Sequence, residues 1–270
     1  MGMADFRNKK VLVVGLAKTC LATAEFLVTK GARVAVTDYL PASELGSTAD
    51  QAKELGCSLA LGGHPLEVFT QAELIIVSPG VPLDLPELAE ARLRSIPVMG
   101  ELELASRFLQ MPVVAVSGTN GKTTTTALVG DMLKHSGKKV FVGGNIGNPL
   151  ITLLKEKEPF ELAVVEVSSF QLDSMETFHP RVAVLLNISE DHLDRYPSFA
   201  DYVASKCRLF ANQAEEDTAV VPSRDPLITV RCTIRSRQLN FSLSKNSAHA
   251  YLDSGWLICR VMPGPLRRRS

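Results

Sequence analysis

Residues 113–126 read VVAVSGTNGKTTTT, and no other stretch of the chain narrows its possible folds so far. An apolar run stops at Ser117, a turn with Gly118 and Gly121 follows, and helical spacing of Ala127, Leu128, Val129, Met132 and Leu133 begins at once. Strand, glycine turn and helix in that order are the setting of a phosphate-binding loop. Glycines let backbone N–H groups crowd round phosphate oxygens, and the helix N-terminus adds partial positive charge. Gly118, Thr119, Asn120, Gly121 and Thr124 form the cradle, Lys122 is placed to reach the β- and γ-phosphates, and the Thr123 hydroxyl to meet Mg²⁺. The general pattern asks for a glycine where Val116 stands, so this is a shorter variant. The competing reading is an ordinary glycine-rich turn, against which Lys122-Thr123 after Gly121 argues.

With 270 residues the chain has room for roughly two domains. A 46% hydrophobic content supports real cores, and the formal net charge of +0 gives no electrostatic case for nucleic acid or an anionic membrane. The one basic cluster, Arg267-Arg268-Arg269, reads as a solvated tail. Apolar runs such as VLVVGLA and LIIV fall far short of the ~20 residues of a membrane span. No signal-peptide core precedes Lys18, and Phe6 stands where myristoylation wants Ser or Thr. Cys20, Cys57, Cys207, Cys232 and Cys259 are scattered without a CxxC, which fits reduced thiols in a cytoplasm rather than a disulfide framework or zinc site. A cytoplasmic monomer is expected, with no nucleic acid and no membrane insertion.

The first segment, residues 1–108, opens strand, helix, strand: Lys10 to Leu16, Thr19 to Lys30 closed by Gly31, then Arg33 to Thr37 ending at Asp38. That is a Rossmann-like arrangement, but its glycine fingerprint is broken. Gly15 is present, whereas Ala17 and Cys20 occupy the next two glycine positions, and the Ala17 methyl obstructs a pyrophosphate. A nucleotide held in another pose fits better than NAD. Asp38 is either a ribose-type contact or a strand-end acid capping the next turn. The turn Ser78-Pro79-Gly80-Val81-Pro82 follows a strand at Leu74 to Val77, where doubly wound sheets place ligands. Plain chain punctuation explains it equally well.

The second segment, residues 109–270, begins at the loop. A strand at Lys139 to Val142 runs into GGNIGNP, in which Asn145 offers both donor and acceptor. In LAVVEVSSFQL, Glu166 is a carboxylate inside an apolar strand, which costs several kcal/mol unless paired or metal-bound. An acid ending a strand beside a phosphate loop is placed to hold Mg²⁺. Ser168 and Gln171 follow it. A strand at Arg181 to Leu186 leads to NISEDHLD, three carboxylates with His192. A helix from Ser198 to Asn212 sets Lys206 beside its apolar face, where snorkelling competes with a lowered pKa. Beyond Thr218 to Val221 the chain reads as irregular, apart from alternation in Ala248 to Cys259. RVMPGPLRRRS has no periodicity.

Together GTNGKTTTT, EVSSFQL, GGNIGNP, NISEDHLDRYPSFADYVASK and SPGVP resemble the signatures of the Mur ligase family, most closely its D-glutamate-adding branch. The resemblance is dense from about residue 10 to 210. It implies an α/β protein: an N-terminal Rossmann-like UDP-binding domain, then a P-loop ATPase-like central domain with a mostly parallel sheet. It implies ATP and Mg²⁺ as cofactors, with UDP-N-acetylmuramoyl-L-alanine and D-glutamate as substrates in peptidoglycan synthesis. Thr123 and Glu166 are then expected to hold one Mg²⁺ and His192 to help hold a second. Lys206 is expected to be carbamylated as a metal partner, with Lys122, His192 and Lys206 serving catalysis. Asn145, Ser168 and Gln171 are expected at the muramoyl substrate, and Thr19, Asp38 and Ser78-Pro79-Gly80 at its uridine diphosphate. The family also carries a C-terminal domain absent from these residues, so the expectation is a truncated product that binds nucleotides but ligates poorly. An NAD-dependent dehydrogenase is opposed by Ala17 and Cys20; a folate-type ligase is weakened by the leading UDP-type domain.

Overall fold

Apolar runs set the strands. The computed structural model describes residues 5–156, 159–244 and 247–260, and the backbone of 266–269. Chain contacts divide it into two units: Met1–Gln110 with Gly143–Pro159 and Asp173–Phe178, and Met111–Val142 with Phe160–Leu172 and His179–Ser270.

The first unit is built on β1 (Lys10–Val14), α1 (Lys18–Thr29), β2 (Arg33–Asp38), α2 (Ala42–Leu45), α3 (Ser47–Glu54), β3 (Ser58–Leu61), α4 (Leu66–Thr70), β4 (Leu74–Val77), α5 (Pro86–Leu93), β5 (Val98–Gly100) and α6 (Glu101–Ser106). Its five strands are parallel in the order β3-β2-β1-β4-β5. The chain switches direction of winding beside β1, so the carboxyl ends of β1 and β4 open the crevice where such sheets bind ligands. Leu12, Val14, Ile75 and Val77 pack there with Phe69, Leu88 and Ala91.

The second unit contains β6 (Val113–Ser117), α7 (Lys122–His135), β7 (Val140–Gly144), β8 (Leu162–Glu166), α8 (Ser169–Asp173), β9 (Val182–Leu185), α9 (Phe199–Cys207), β10 (Thr218–Pro222), α10 (Pro226–Arg231), β11 (Arg237–Ser242), β12 (Ala250–Asp253), β13 (Trp256–Cys259) and β14 (Leu266–Arg269). The sheet order is β14-β13-β12-β11-β10-β9-β6-β8-β7. β8, β6, β9, β10, β11 and β12 pair in parallel, and β13 and β14 antiparallel. This is the mostly parallel α/β architecture expected from the sequence. Two readings change. The stretch after Pro222, read as irregular, holds α10 and β11, and residues 266–269, read as a tail, form a strand. β11 (RQLNFS) has no apolar run of its own; its pairing with β10 defines it. Residues 261–265 and 270, also read as lacking periodicity, lie outside the described residues.

Two acidic residues show why later stretches of chain lie with the first unit. Glu103 accepts from the backbone N–H groups of Glu176, Thr177 and Phe178, from the Thr177 hydroxyl, and from Arg107. Burial acts to raise its pKa, but these donors outweigh it and hold the carboxyl below the usual range. Glu101, 1% exposed, accepts from the Ile151 N–H at 2.6 Å, and its Oε2 has no hydrogen-bond partner. Burial pushes its pKa up to about 7 from 4.5, against that one opposing bond. The folded state therefore keeps a proton that the unfolded chain releases, and stability falls as pH rises from about 4.5 to about 7. The loss is roughly 3 kcal/mol. Glu101→Gln is expected to flatten this slope in denaturant melts taken across pH 4 to 8; an unchanged slope would place the buried proton elsewhere.

The cysteines require a correction. Cys207 and Cys232, read as separate thiols, form a disulfide, with Cα atoms 4.9 Å apart across 25 residues of sequence. Their spacing carries no signal, because the ends of α9 and α10 meet only through packing. Closing that loop is worth roughly 3 kcal/mol. Dithiothreitol is thus expected to lower the melting temperature by several degrees, and Cys232→Ser to melt alike with or without it. Cys20, Cys57 and Cys259 are free, and burial pushes the Cys20 thiol up to about 12. Among the described residues no helix is long and apolar enough to cross a membrane.

Candidate functional site

In the second unit the loop after β6 starts α7 at Lys122, with Gly121 (φ +83°) in the left-handed region at the cap. Gly118 (φ +148°) has no room for a side chain: a Cβ there meets Leu186 Cβ at 3.1 Å and the Asn187 backbone at 3.3 Å. Asn187 holds the loop open like a bracket. Its Oδ1 accepts from Asn120 N–H at 2.9 Å, its Nδ2 donates to Asn120 O at 2.9 Å, and its carbonyl accepts from Thr119 N–H. Lys122 Nζ donates to the Thr119 carbonyl at 2.8 Å. Thr124 is exposed on the first turn of α7.

Strand register brings the acid to the loop. Val116 pairs with Glu166 across β6 and β8, and the Thr123 hydroxyl donates to Glu166 Oε2 at 2.8 Å. Glu166 is 2% exposed. A buried carboxylate and a hydroxyl converging at the head of a phosphate loop are oxygen donors of the kind Mg²⁺ takes, so this pair fits the ion. Among the described residues no group of three or more His, Cys, Asp or Glu gathers as a metal centre; the expected set draws instead on Thr123 and Lys206.

Tyr202 organises the other side of the loop. Its OH lies 3.1 Å from the Thr119 hydroxyl, its ring 5.1 Å under Lys206 Nζ and 6.1 Å from the His192 ring. Burial raises its pKa. Lys206, 2% exposed, donates to the Gly118 carbonyl at 3.0 Å. As an ammonium it is a donor and not a ligand; carbamylation turns it into an acceptor. His192 sits at φ +54° and is largely solvent-facing, with Nε2 3.6 Å from Asp191 Oδ2. Thr119, Lys206 and His192 thus share one aromatic neighbour. Sequence reading missed Tyr202 and Asn187. Tyr202 stands four residues before Lys206 on the same helix, a spacing that puts both on one face.

Ser168 and Gln171, expected at the substrate, bond each other. Gln171 Oε1 accepts from Ser168 N–H at 3.0 Å, and Ser168 Oγ accepts from Gln171 N–H at 3.3 Å. This is a capping box at the start of α8.

In the first unit, Gly15 (φ +90°) and Ser78 close on one another; a Cβ on Gly15 would stand 2.9 Å from Ser78 Cβ. Asp38 caps backbone turns on both sides of the crevice, as its strand-end reading expects. Oδ2 accepts from Leu16 N–H at 2.6 Å and Oδ1 from Leu40 N–H at 2.9 Å. Ala17 caps α1 without a side-chain bond, its carbonyl accepting from the Cys20 N–H at 2.9 Å, and Thr19 beside it is half-buried. Lys18 Nζ donates to the Gly147 carbonyl at 2.8 Å, tying this turn to the GGNIGNP loop on which Asn145 is exposed. Pro79 and Gly80 complete the turn after β4. Sequence reading had passed over Lys18.

Comparison with known proteins identifies the family. Residues 116–255 match the Mur ligase middle domain and residues 9–100 the MurD-like N-terminal domain of Mur ligases. The chain is 54% identical over 248 residues to the UDP-N-acetylmuramoylalanine--D-glutamate ligase of Desulfosudis oleivorans, covering 92% of the chain and 54% of that protein. It is 46% identical over 265 residues to the same-named protein of Geotalea daltonii, covering 97% and 58%. It therefore spans little more than half the length of these relatives. Among solved structures, the UDP-N-acetylmuramate:L-alanyl-gamma-D-glutamyl-meso-diaminopimelate ligase of Neisseria meningitides superposes with TM-score 0.62 at 16% identity, over 94% of this chain and 85% of that one. The UDP-N-acetylmuramate-alanine ligase of Thermotoga maritima gives 0.53 at 24% identity, over 96% and 60%. These two likenesses concern the fold.

Proposed function

The chain belongs to the Mur ligase family, and on that footing we propose that it is the nucleotide-binding part of an ATP-dependent amide ligase, one that adds D-glutamate to UDP-N-acetylmuramoyl-L-alanine in peptidoglycan synthesis. The observation that carries the reading is the Thr123–Glu166 pair at the head of the loop. The names of the relatives supply the substrate.

The second unit takes ATP. The N–H groups of Gly121 to Thr124 donate to phosphate oxygens, those of Thr119 and Asn120 being held by Asn187, and Lys122 leaves the Thr119 carbonyl for the β- and γ-phosphates. Thr123 and Glu166 hold Mg²⁺, with His192 and carbamylated Lys206 toward a second ion. When bound, Mg²⁺ neutralises charge on the γ-phosphate during transfer. The substrate carboxylate attacks that phosphate to give an acyl phosphate and ADP. The D-glutamate amine then attacks the acyl carbon, and inorganic phosphate leaves the tetrahedral intermediate as the amide forms. The first unit takes the uridine diphosphate: Ser78-Pro79-Gly80 and Thr19 line the crevice, and Asp38 fixes the turn after β1. Asn145 contacts the muramoyl group. Ser168 and Gln171 reach it only by opening their capping box.

Calorimetry with UDP-N-acetylmuramoyl-L-alanine, UDP-N-acetylmuramate and NAD⁺ tests the substrate. The expected order places the L-alanine derivative first and NAD⁺ without measurable heat. Tight NAD⁺ binding overturns the reading.

A further inference from the structure

The loop that carries His192 is mostly exposed and lacks regular secondary structure. His192 itself holds a left-handed backbone conformation, φ +54°, which a residue other than glycine keeps only where its surroundings impose it. Two rings from outside the loop face His192, Tyr202 of α9 at 6.1 Å and, closer, Phe170. The Phe170 ring lies 4.9 Å from the His192 ring and is stacked on Tyr196 at 5.8 Å with 6° between planes. It also carries the Arg195 guanidinium 4.8 Å above it. Three residues of one loop therefore rest on a single ring. Phe170 belongs to α8, which directly follows the strand bearing Glu166. Tyr196 OH extends the fastening by donating to Ser205 Oγ at 3.2 Å, which donates to the Ser169 carbonyl at 3.0 Å.

We propose that Phe170 is a positioning residue: its ring fixes the orientation of the His192 imidazole toward the second cation. The inference rests on the reading of His192 given above. Flat faces suit the task. Offset aromatic stacking and a guanidinium over a ring are directional, so they set orientation as well as burial. An aliphatic side chain of similar size fills the space without setting the angle.

The test is Mn²⁺ titration of the full chain followed by electron paramagnetic resonance, with β,γ-imido-ATP present. Wild type should bind two ions, and His192→Gln should lose the weaker one. Phe170→Leu should weaken that same ion roughly 10- to 100-fold and leave the tighter one unchanged, as removal of an outer-sphere support does. Phe170→Tyr, which keeps the ring, should stay close to wild type. Phe170→Met, bulky but without a flat face, should behave as the leucine variant does, and serves if leucine prevents folding. A general loss of packing would weaken both ions together and contradict the proposal. If His192→Gln loses an ion while Phe170→Leu and Phe170→Met keep both at wild-type affinity, Phe170 does not position His192. If His192→Gln also keeps both, the assignment of His192 is what fails, and this inference goes with it.

Discussion

Lys122→Ala is expected to lower the affinity for ATP–Mg²⁺ roughly 100-fold, the loss of two charge-assisted bonds to phosphate. In the structure Nζ rests on one backbone carbonyl, that of Thr119, at 2.8 Å. That neutral partner is exchanged for charged phosphate oxygens, which bind an ammonium more strongly. The loop itself does not depend on the lysine: Asn187 holds Asn120 and Thr119 from the other side. The variant should therefore fold normally and melt close to wild type. Arginine should not rescue it, since a broad planar fork cannot enter a cradle shaped for a compact ammonium. Calorimetry with β,γ-imido-ATP and Mg²⁺ reads the outcome, and unchanged affinity would remove the loop from nucleotide binding.

Asp38→Ala is expected to cost the first unit its uridine-diphosphate ligand by a similar factor, roughly 100-fold. Here the route runs through the turn. The carboxylate accepts from Leu16 N–H at 2.6 Å and Leu40 N–H at 2.9 Å, so it defines the turn after β1 that the proposed ligand rests on. Removing it leaves two backbone donors without their charged acceptor, which costs about 1–3 kcal/mol of stability and lowers the melting temperature by several degrees. Asp38→Asn keeps an acceptor for one donor and should fall between. ATP–Mg²⁺ binding should not change in either variant.

Much of the architecture was legible because the parallel strands are buried on both faces and so read as unbroken apolar runs: VLVV, LIIV, VVAV and LAVV. The helices between β2 and β4 were not, since α2, α3 and α4 are short and weakly apolar. β11 was hidden for a different reason: its partner strand, not its own sequence, makes it a strand. At the candidate site the strongest signals were chemical misfits, a carboxylate in an apolar strand at Glu166 and a lysine beside an apolar face at Lys206. Both lie at the loop in the second unit. Residues that act on other residues stayed out of view. Tyr202, Asn187, Glu101 and Glu103 carry no misfit of that kind in the sequence, because their partners lie far along the chain. Ser168 and Gln171 show the converse: their spacing also reads as a capping box, the local structure they form. The Cys207–Cys232 pairing is a product of tertiary packing and left no trace in spacing.

The most direct test is one calorimetric comparison of wild type, Asp38→Ala and Lys122→Ala, each titrated with UDP-N-acetylmuramoyl-L-alanine and with β,γ-imido-ATP plus Mg²⁺. Wild type should bind both ligands, Asp38→Ala only the nucleoside triphosphate analogue, and Lys122→Ala only the uridine diphosphate sugar. A wild type that ignores the sugar nucleotide, or substitutions that weaken both ligands alike, would contradict the assignment of one ligand to each unit.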